Sequence, residues 1–404
     1  MSQTEVQLIK SSSVVDGDIV GLSSSKLTGA LPAISGAALT NLPASGKAHN
    51  LIINGAMQVA QRGTSSTTNG FGSVDRFSVE YNAVDEASTQ AQVDVASGTT
   101  PYTLGFRKAL RITNGNQTSG VGNGDYIQIY QRVEAQDMAT SGWNYVSSSS
   151  FITLSFYIKS SVAQAFSGSL RSHDGTSYSY KFDTPSLSAD TWTKVTKTIP
   201  GNSNLTFNND NGNGLSIYLY PFIGTTYTSA NSNTETWVTS ATDTYANDMT
   251  STWYTTNDAT LEITGVQFEV GSTATDFEHR SFGQELALCH RYFYLHANPS
   301  ESSSSNNQVA VGMGTYYGNP DYFCAVHFPV KMRATPTLVT GTGSNNFVIY
   351  RNNGSDYSNN VGVIDRAGTT GCMLYDSSAS GTAGQAGFLS TYKAGATVAF
   401  AAEL

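Results

Sequence analysis

Charge is what this 404-residue chain has least of: only 13% of its residues are Asp, Glu, Lys or Arg, against about a quarter in ordinary globular domains. That scarcity argues against long solvent-facing helices, whose outer faces draw on Glu, Lys and Arg. Lys and Arg form no cluster, and the formal net charge is −9. A phosphate-tracking protein needs a basic stripe, so nucleic acid is not an expected partner. No run of about 18 apolar residues occurs, so no membrane insertion is expected. The opening MSQTEVQLIK lacks the basic-then-apolar order of a secretory signal, and export by that route is not expected.

Cysteine is equally sparse. Cys289, Cys324 and Cys372 have no metal-ligand spacing and leave one odd thiol, so buried free thiols are expected, as suits folding in a reducing cytoplasm. Signatures of catalysis are missing too. There is no Gly-x-Ser-x-Gly, no Gly-rich tract opening a helix after a strand, and no Cys–His pair at metal spacing. Two carboxylates flanking a glycosidic bond need no motif, but acids are few and no parallel β-helix repeat is visible. The expectation is a non-enzyme with no catalytic residue, no cofactor and no metal. Asp75, Asp125 and Asp276 are acids near strand ends, but no Asp-x-Asn-x-Asp-Gly spacing of a calcium loop occurs.

What is present is Ser, Thr, Asn, 38 Gly and 22 Tyr, a composition for short strands joined by many turns. Residues 1–48 contain no aromatic residue, and Leu27-Thr28-Gly29-Ala30-Leu31-Pro32 is echoed by Leu39-Thr40-Asn41-Leu42-Pro43. Two copies cannot make a solenoid. Packed against symmetry mates, Leu27, Leu31, Ile34, Leu39 and Leu42 would fill a shared axis; alone, the segment would be a flexible leader.

From Asn50-Leu51-Ile52-Ile53-Asn54-Gly55, read as an opening strand, the character changes. Val74-Asp75-Arg76-Phe77 leads into another strand. Further strands are expected at Ala109–Thr113, Tyr126–Val133, Phe151–Ile158, Trp192–Ile199, Leu215–Phe222 and Leu261–Val270, an antiparallel sandwich by number and spacing. Ile152, Leu154, Phe156 and Ile158 share one face of the strongest of them. Past Phe268-Glu269-Val270-Gly271, Ser281 stands three residues before Gln284 at capping-box spacing, and Leu286, Cys289 and Phe293 follow at helical intervals. His290 and Arg291 fall in the last turn, beside the negative end of the helix dipole. Beyond this helix, Leu338-Val339, Phe347–Tyr350, Val361–Val363, Cys372–Leu374 and Ala396–Ala401 build a small β domain. Its polar loops, Ser300–Asn307 and Arg351–Asp356, are either recognition loops or solvated connections.

These phrases resemble phage tail-fibre and related virion appendage proteins that carry a jelly-roll domain of the carbohydrate-binding-module kind. The resemblance rests on the Leu-Thr-Gly-x-Leu-Pro phrase, the Asn-Leu-Ile-Ile-Asn-Gly opening, Val-Asp-Arg-Phe, Phe-Glu-Val-Gly, and Phe328-Pro329-Val330-Lys331-Met332-Arg333-Ala334-Thr335-Pro336. It implies a mainly β chain in three parts: an extended attachment or shaft segment over 1–48, a jelly-roll β-sandwich over 49–280, and a C-terminal β tip over 281–404. It also implies a homotrimer docked through its N-terminus on another virion tail or neck protein, located in the virion and made in the host cytoplasm. The tip would bind host surface polysaccharide. A purely structural neck or head fibre is the alternative, and a glycan-hydrolysing tailspike a more distant one.

Sugar recognition needs flat aromatic faces and hydrogen-bonding side chains around them. The expected ligand residues are Tyr316, Tyr317, Tyr322, Tyr350 and Tyr357 in the tip, with Trp237 and Trp253 in the sandwich. For each ring, packing in a core is the competing role. Tyr218, Tyr220 and Phe222, at every second residue, are expected to share one core-facing strand surface.

Overall fold

The computed structural model describes residues 49–404, apart from 230–231, 303–306, 342, 353 and 360 and the side chains of 363–364. The expected segment 1–48, with its trimer contacts, lies outside the described residues. The described residues belong to one compact unit.

Twelve strands make the sandwich: β1 Ser65–Ser66, β2 Ser78–Asn82, β3 Thr89–Asp94, β4 Lys108–Thr113, β5 Tyr126–Glu134, β6 Phe151–Ser160, β7 Ser167–Ser172, β8 Tyr178–Asp183, β9 Thr193–Pro200, β10 Asn213–Ile223, β11 Trp237–Thr239 and β12 Thr260–Val270. They form two six-stranded sheets, β1-β3-β4-β12-β6-β9 and β11-β8-β7-β10-β5-β2. All six strands expected between residues 109 and 270 are present, extended by one or two residues or shifted by one at an end. Alternation decides which side chains enter the core. Ile152, Leu154, Phe156 and Ile158 of β6 point inward and meet Ile129 of β5 and Ile217 and Leu219 of β10.

Two expectations fail in this half. Asn50–Gly55 is a run of turns, not a strand. The side chain of Asn50 explains why: Nδ2 donates to Val266 O at 3.1 Å, and Oδ1 accepts from Phe268 N and Ile52 N. One amide thus replaces the ladder a strand would offer. The second failure is Phe222. A bulge between Leu219 and Phe222 shifts the alternation by one residue. Phe222 joins the sandwich core, whereas Tyr218 and Tyr220 face the other way and pack with Ala246.

The helix spans Phe282–His290, with Ser281 as N-cap and the Ser281–Gln284 capping box formed. Cys289 is buried, but Phe293 is past the helix, in β13 Phe293–Ala297. Nine strands follow: β14 Ala310–Tyr316, β15 Tyr322–His327, β16 Thr337–Thr340, β17 Phe347–Arg351, β18 Gly354–Ser358, β19 Val363–Asp365, β20 Gly371–Asp376, β21 Ala386–Thr391 and β22 Val398–Ala401. They form a three-stranded sheet, β13-β22-β16, and a seven-stranded sheet, β18-β17-β21-β14-β15-β20-β19, around a second core that includes Phe347, Leu389 and Phe400. The stretch 351–356, expected as a polar loop, is a hairpin in which β17 and β18 pair from Arg351–Gly354 to Phe347–Ser358. The fold is mainly β, and the three cysteines are free and buried.

Candidate functional site

The seven-stranded sheet packs one face on the second core and leaves the other open. Which tyrosines reach that open face follows from strand parity. Tyr316 and Tyr317 are neighbours, yet Tyr316 is 1% exposed and Tyr317 79% exposed. Tyr316 Oη donates to Asp356 at 2.5 Å, and Tyr322 Oη donates to Gly387 O at 3.1 Å. Both rings are consumed by the core, which corrects the expectation that they contact ligand. Tyr350 and Tyr357 lie on the open face with Tyr317. Tyr350 stacks on Phe388 at 5.0 Å, and Tyr357 meets Tyr392 edge-on at 4.9 Å.

Three residues of this face were not anticipated: Met313, 77% exposed, Phe388, 45% exposed, and Tyr375, which stacks on Phe323 at 4.9 Å. A signal for Met313 exists in Gly312-Met313-Gly314-Thr315. Each glycine faces inward where a Cβ has no room: one at Gly314 would lie 1.8 Å from Phe323 O, and one at Gly312 would lie 2.6 Å from Cys324 Sγ. Glycine at every second position therefore marks Met313 as outward.

A groove of about 560 Å³ crosses this face, lined by Met313, Tyr350, Arg351, Asn352, Ser355 and Phe388 among others. Arg351 is fixed by two bonds to Asp356, Nε to Oδ2 at 2.6 Å and Nη2 to Oδ1 at 2.9 Å. The hydrogen bonds from Arg351, helped by those from Tyr316 and Ser380, outweigh burial and hold the Asp356 carboxyl well below the usual carboxylate range. Flat rings with amide, hydroxyl and guanidinium groups at the margin suit a neutral polyhydroxylated ligand: C–H groups lie on the rings and hydroxyls take the polar rim.

The two tryptophans are placed otherwise. Trp253 is 0% exposed and Trp237 7% exposed. Their indole N–H groups donate to Thr260 O at 3.0 Å and Pro200 O at 2.8 Å. Both are packing residues of the sandwich, a second correction.

The sandwich has its own cup of about 310 Å³, walled by Phe106, Tyr157, Phe277 and His279, with Lys194 and Asp276 among its lining. It forms because β12 bulges between Thr264 and Gln267, and Gly265, at φ +64, lets the Phe106 ring approach to within 2.7 Å of where a Cβ would stand. His279 Nε2 lies 2.9 Å from Leu104 O. Burial, with the nearby Asp276 charge, raises the Tyr157 hydroxyl above its ordinary pKa.

Among the described residues no group of three or more His, Cys, Asp or Glu is arranged to hold a metal. Asp75 is buried against Gln61, Asp125 accepts from Gly122 N and Tyr254 Oη at 2.6 and 3.0 Å, and Asp276 lines the cup.

No protein-family model and no curated protein matches this chain. Among solved structures, it is similar to the enzymatically active domain of tailspike protein 4 of bacteriophage CBA120, at 10% identity over 55% of this chain and 21% of that one, with a TM-score of 0.31. A xylan-binding domain from Paenibacillus barcinonensis aligns at 10% identity over 56% of this chain and 97% of that one, TM-score 0.26. A family 11 carbohydrate-binding module from Clostridium thermocellum, solved with a mixed-linked tetrasaccharide, aligns at 13% identity over 54% and 98%, TM-score 0.24. The chain thus spans about a fifth of the tailspike domain's length.

Proposed function

We propose that this chain is a phage tail-fibre subunit whose C-terminal sheet face attaches to host cell-surface glycan, binding without cleaving it. The observation that carries the reading is the open face of the seven-stranded sheet, where Tyr317, Tyr350, Tyr357 and Phe388 stand clear of the core. Single surface hydrophobics are ordinary; here Tyr350 and Phe388 stack beside Met313 in one groove, with Tyr317 and Tyr357 exposed on the same face beyond it, and such a grouping marks an interaction site. Its neutral character fits uncharged sugar rings. As a homotrimer on the virion, docked through residues 1–48, the subunit would convert weak single contacts into avidity. The test is binding of the full chain to polysaccharide prepared from susceptible host cells. Tyr317→Ala with Tyr357→Ala should abolish binding while leaving the fold intact.

One feature favours a second reading, a structural neck or head fibre that touches no receptor. Met313, at 77% exposure, is an apolar side chain with no hydrogen-bonding use on sugar, and contact between subunits would bury it. Under that reading the double tyrosine variant changes the assembly state and leaves host adsorption unaltered.

A further inference from the structure

A cationic cluster sits on the outer face of the second sandwich sheet, apart from both aromatic surfaces. Ser216 of β10 pairs directly with Arg132 of β5 on one side and with Arg171 of β7 on the other. With strands about 4.8 Å apart, the two arginine Cα atoms stand about 10 Å apart across one serine. His173, just past β7, joins them: its Nε2 is 2.8 Å from Ser216 Oγ, and Asn213 Nδ2 donates to the same hydroxyl at 3.1 Å.

Neither guanidinium has an Asp or Glu partner among the described residues. Arg171 is held between the rings of Tyr218 and Tyr245, at 3.9 and 4.0 Å from their centroids. Arg132 lies over Tyr130 at 4.7 Å, and its Nη1 donates to Leu404 O at 2.6 Å. The Nε of each arginine is buried without a hydrogen-bond partner. The acids on neighbouring positions are spoken for: Glu134 by Arg291 and Tyr292, Glu80 by Gln128 and Tyr130, and Asp174, next to His173, by Asn208 through its backbone N and Nδ2. His173 is an exposed residue; desolvation of its ring, with the charges of Arg171 and Arg132, lowers the imidazole below its ordinary value. The spot is locally positive on a chain whose formal charge is −9.

Aromatic faces compensate a guanidinium only in part. Arg171, held by ring faces and without an acidic partner, is a costly partly desolvated cation, whereas Arg132 already meets Leu404 O and keeps its remaining N–H groups for a second acceptor; planar guanidinium forks match oxyanions well. We infer that Arg132 and Arg171, arranged about Ser216 and His173, form a binding site for an oxyanion: the carboxylate, sulfate or phosphate group of an acidic glycan. The site goes beyond the neutral face of the C-terminal sheet and does not depend on it.

The experiment is a titration of the full chain at low ionic strength with inorganic phosphate, sulfate, glucuronate and, as controls, chloride and glucose. Calorimetry gives affinity, and NMR follows the His173 ring. Saturable binding of at least one oxyanion is expected, with the His173 midpoint moving up as the anion stabilises the imidazolium. Arg171→Gln should weaken binding about tenfold or more, the worth of one charge-assisted bond; if that variant fails to fold, Arg132→Gln takes its place. Preference for phosphate or sulfate assigns the site to an ester-bearing glycan, and preference for glucuronate to a uronic acid. Absence of saturable binding, equal binding of chloride, or unchanged affinity in the arginine variant overturns the inference. The Tyr317→Ala, Tyr357→Ala protein should bind the anion normally, so failure here and failure of the attachment reading are told apart.

Discussion

Arg291 grips Glu134 with two bonds of 2.7 Å, from Nε and Nη2 to the two carboxylate oxygens. Tyr292 adds a third, its Oη 2.5 Å from Glu134 Oε1. Glu134 ends β5 of the sandwich and is fully buried, while Arg291 is the C-cap of the helix that leads to the second core. Burial pushes the Glu134 carboxyl up, but the bonds from Arg291, Tyr292 and Gln136 bring it below its ordinary value. Arg291→Met would strand a buried carboxylate, at a cost of about 3–5 kcal/mol. A loss of unfolding free energy of that size in urea titration is expected, partly recovered by adding Glu134→Leu. No fall would mean that water reaches the junction.

Asp75 sets a second expectation, with the opposite sign. Burial, opposed by Gln61 and Arg62, raises its carboxyl to about 6, so the folded chain binds the proton more tightly than the unfolded one. The charged form is therefore a stability penalty present above about pH 6 and relieved as pH falls toward the unfolded carboxylate range. A carboxyl raised that far carries a penalty of about 3 kcal/mol when ionised. His290 and His296 are held below their ordinary values, chiefly by burial, and pull the other way in the same window. The measurement is consequently a difference: wild type should gain stability relative to Asp75→Asn between pH 7.5 and pH 5. A constant difference would show Asp75 to titrate normally.

Gly265 makes a third case. Alanine there would carry φ +64 and meet the Phe106 ring at 2.7 Å, a strain of about 1–3 kcal/mol. Gly265→Ala should lower the melting temperature and move the Phe106, Phe277 and His279 ring resonances together. Gly175→Ala, at φ +62 and with no atom nearer its Cβ than Thr206 Oγ1 at 3.5 Å, isolates the positive-φ contribution.

Legibility in the sequence tracked how local the determinant was. The capping box of Ser281 and Gln284 and the alternation in Phe151–Ser160 are written within a few residues, and both were readable. Asn50 and Phe222 were not. Asn50 bonds to residues more than two hundred positions away, and the bulge that turns Phe222 inward exists only in the pairing of β10 with β5. The tyrosines expected at a ligand divided for the same reason. Composition located the ring-rich segments, but only strand parity separates Tyr317 from Tyr316. The Arg132–Ser216–Arg171 row had no signature at all, since its members lie far apart in the chain and meet only through register.

The sharpest consequence concerns those rings. Trp253 is 0% exposed with its N–H bonded, whereas Tyr317 is 79% exposed. Trp253→Ala should cost about 3–5 kcal/mol of stability and leave glycan affinity unchanged wherever the protein remains folded. Tyr317→Ala removes an exposed ring, so its stability change should stay within about 0.5 kcal/mol. If the open face binds sugar, Tyr317→Ala loses affinity by about 1–3 kcal/mol, the span of burying one large apolar side chain. Denaturant curves and affinity electrophoresis on the same two variants therefore give a crossed pattern. Loss of binding with Trp253→Ala at full stability, or binding unaffected by Tyr317→Ala, would move the site off this sheet and toward the cup around Tyr157.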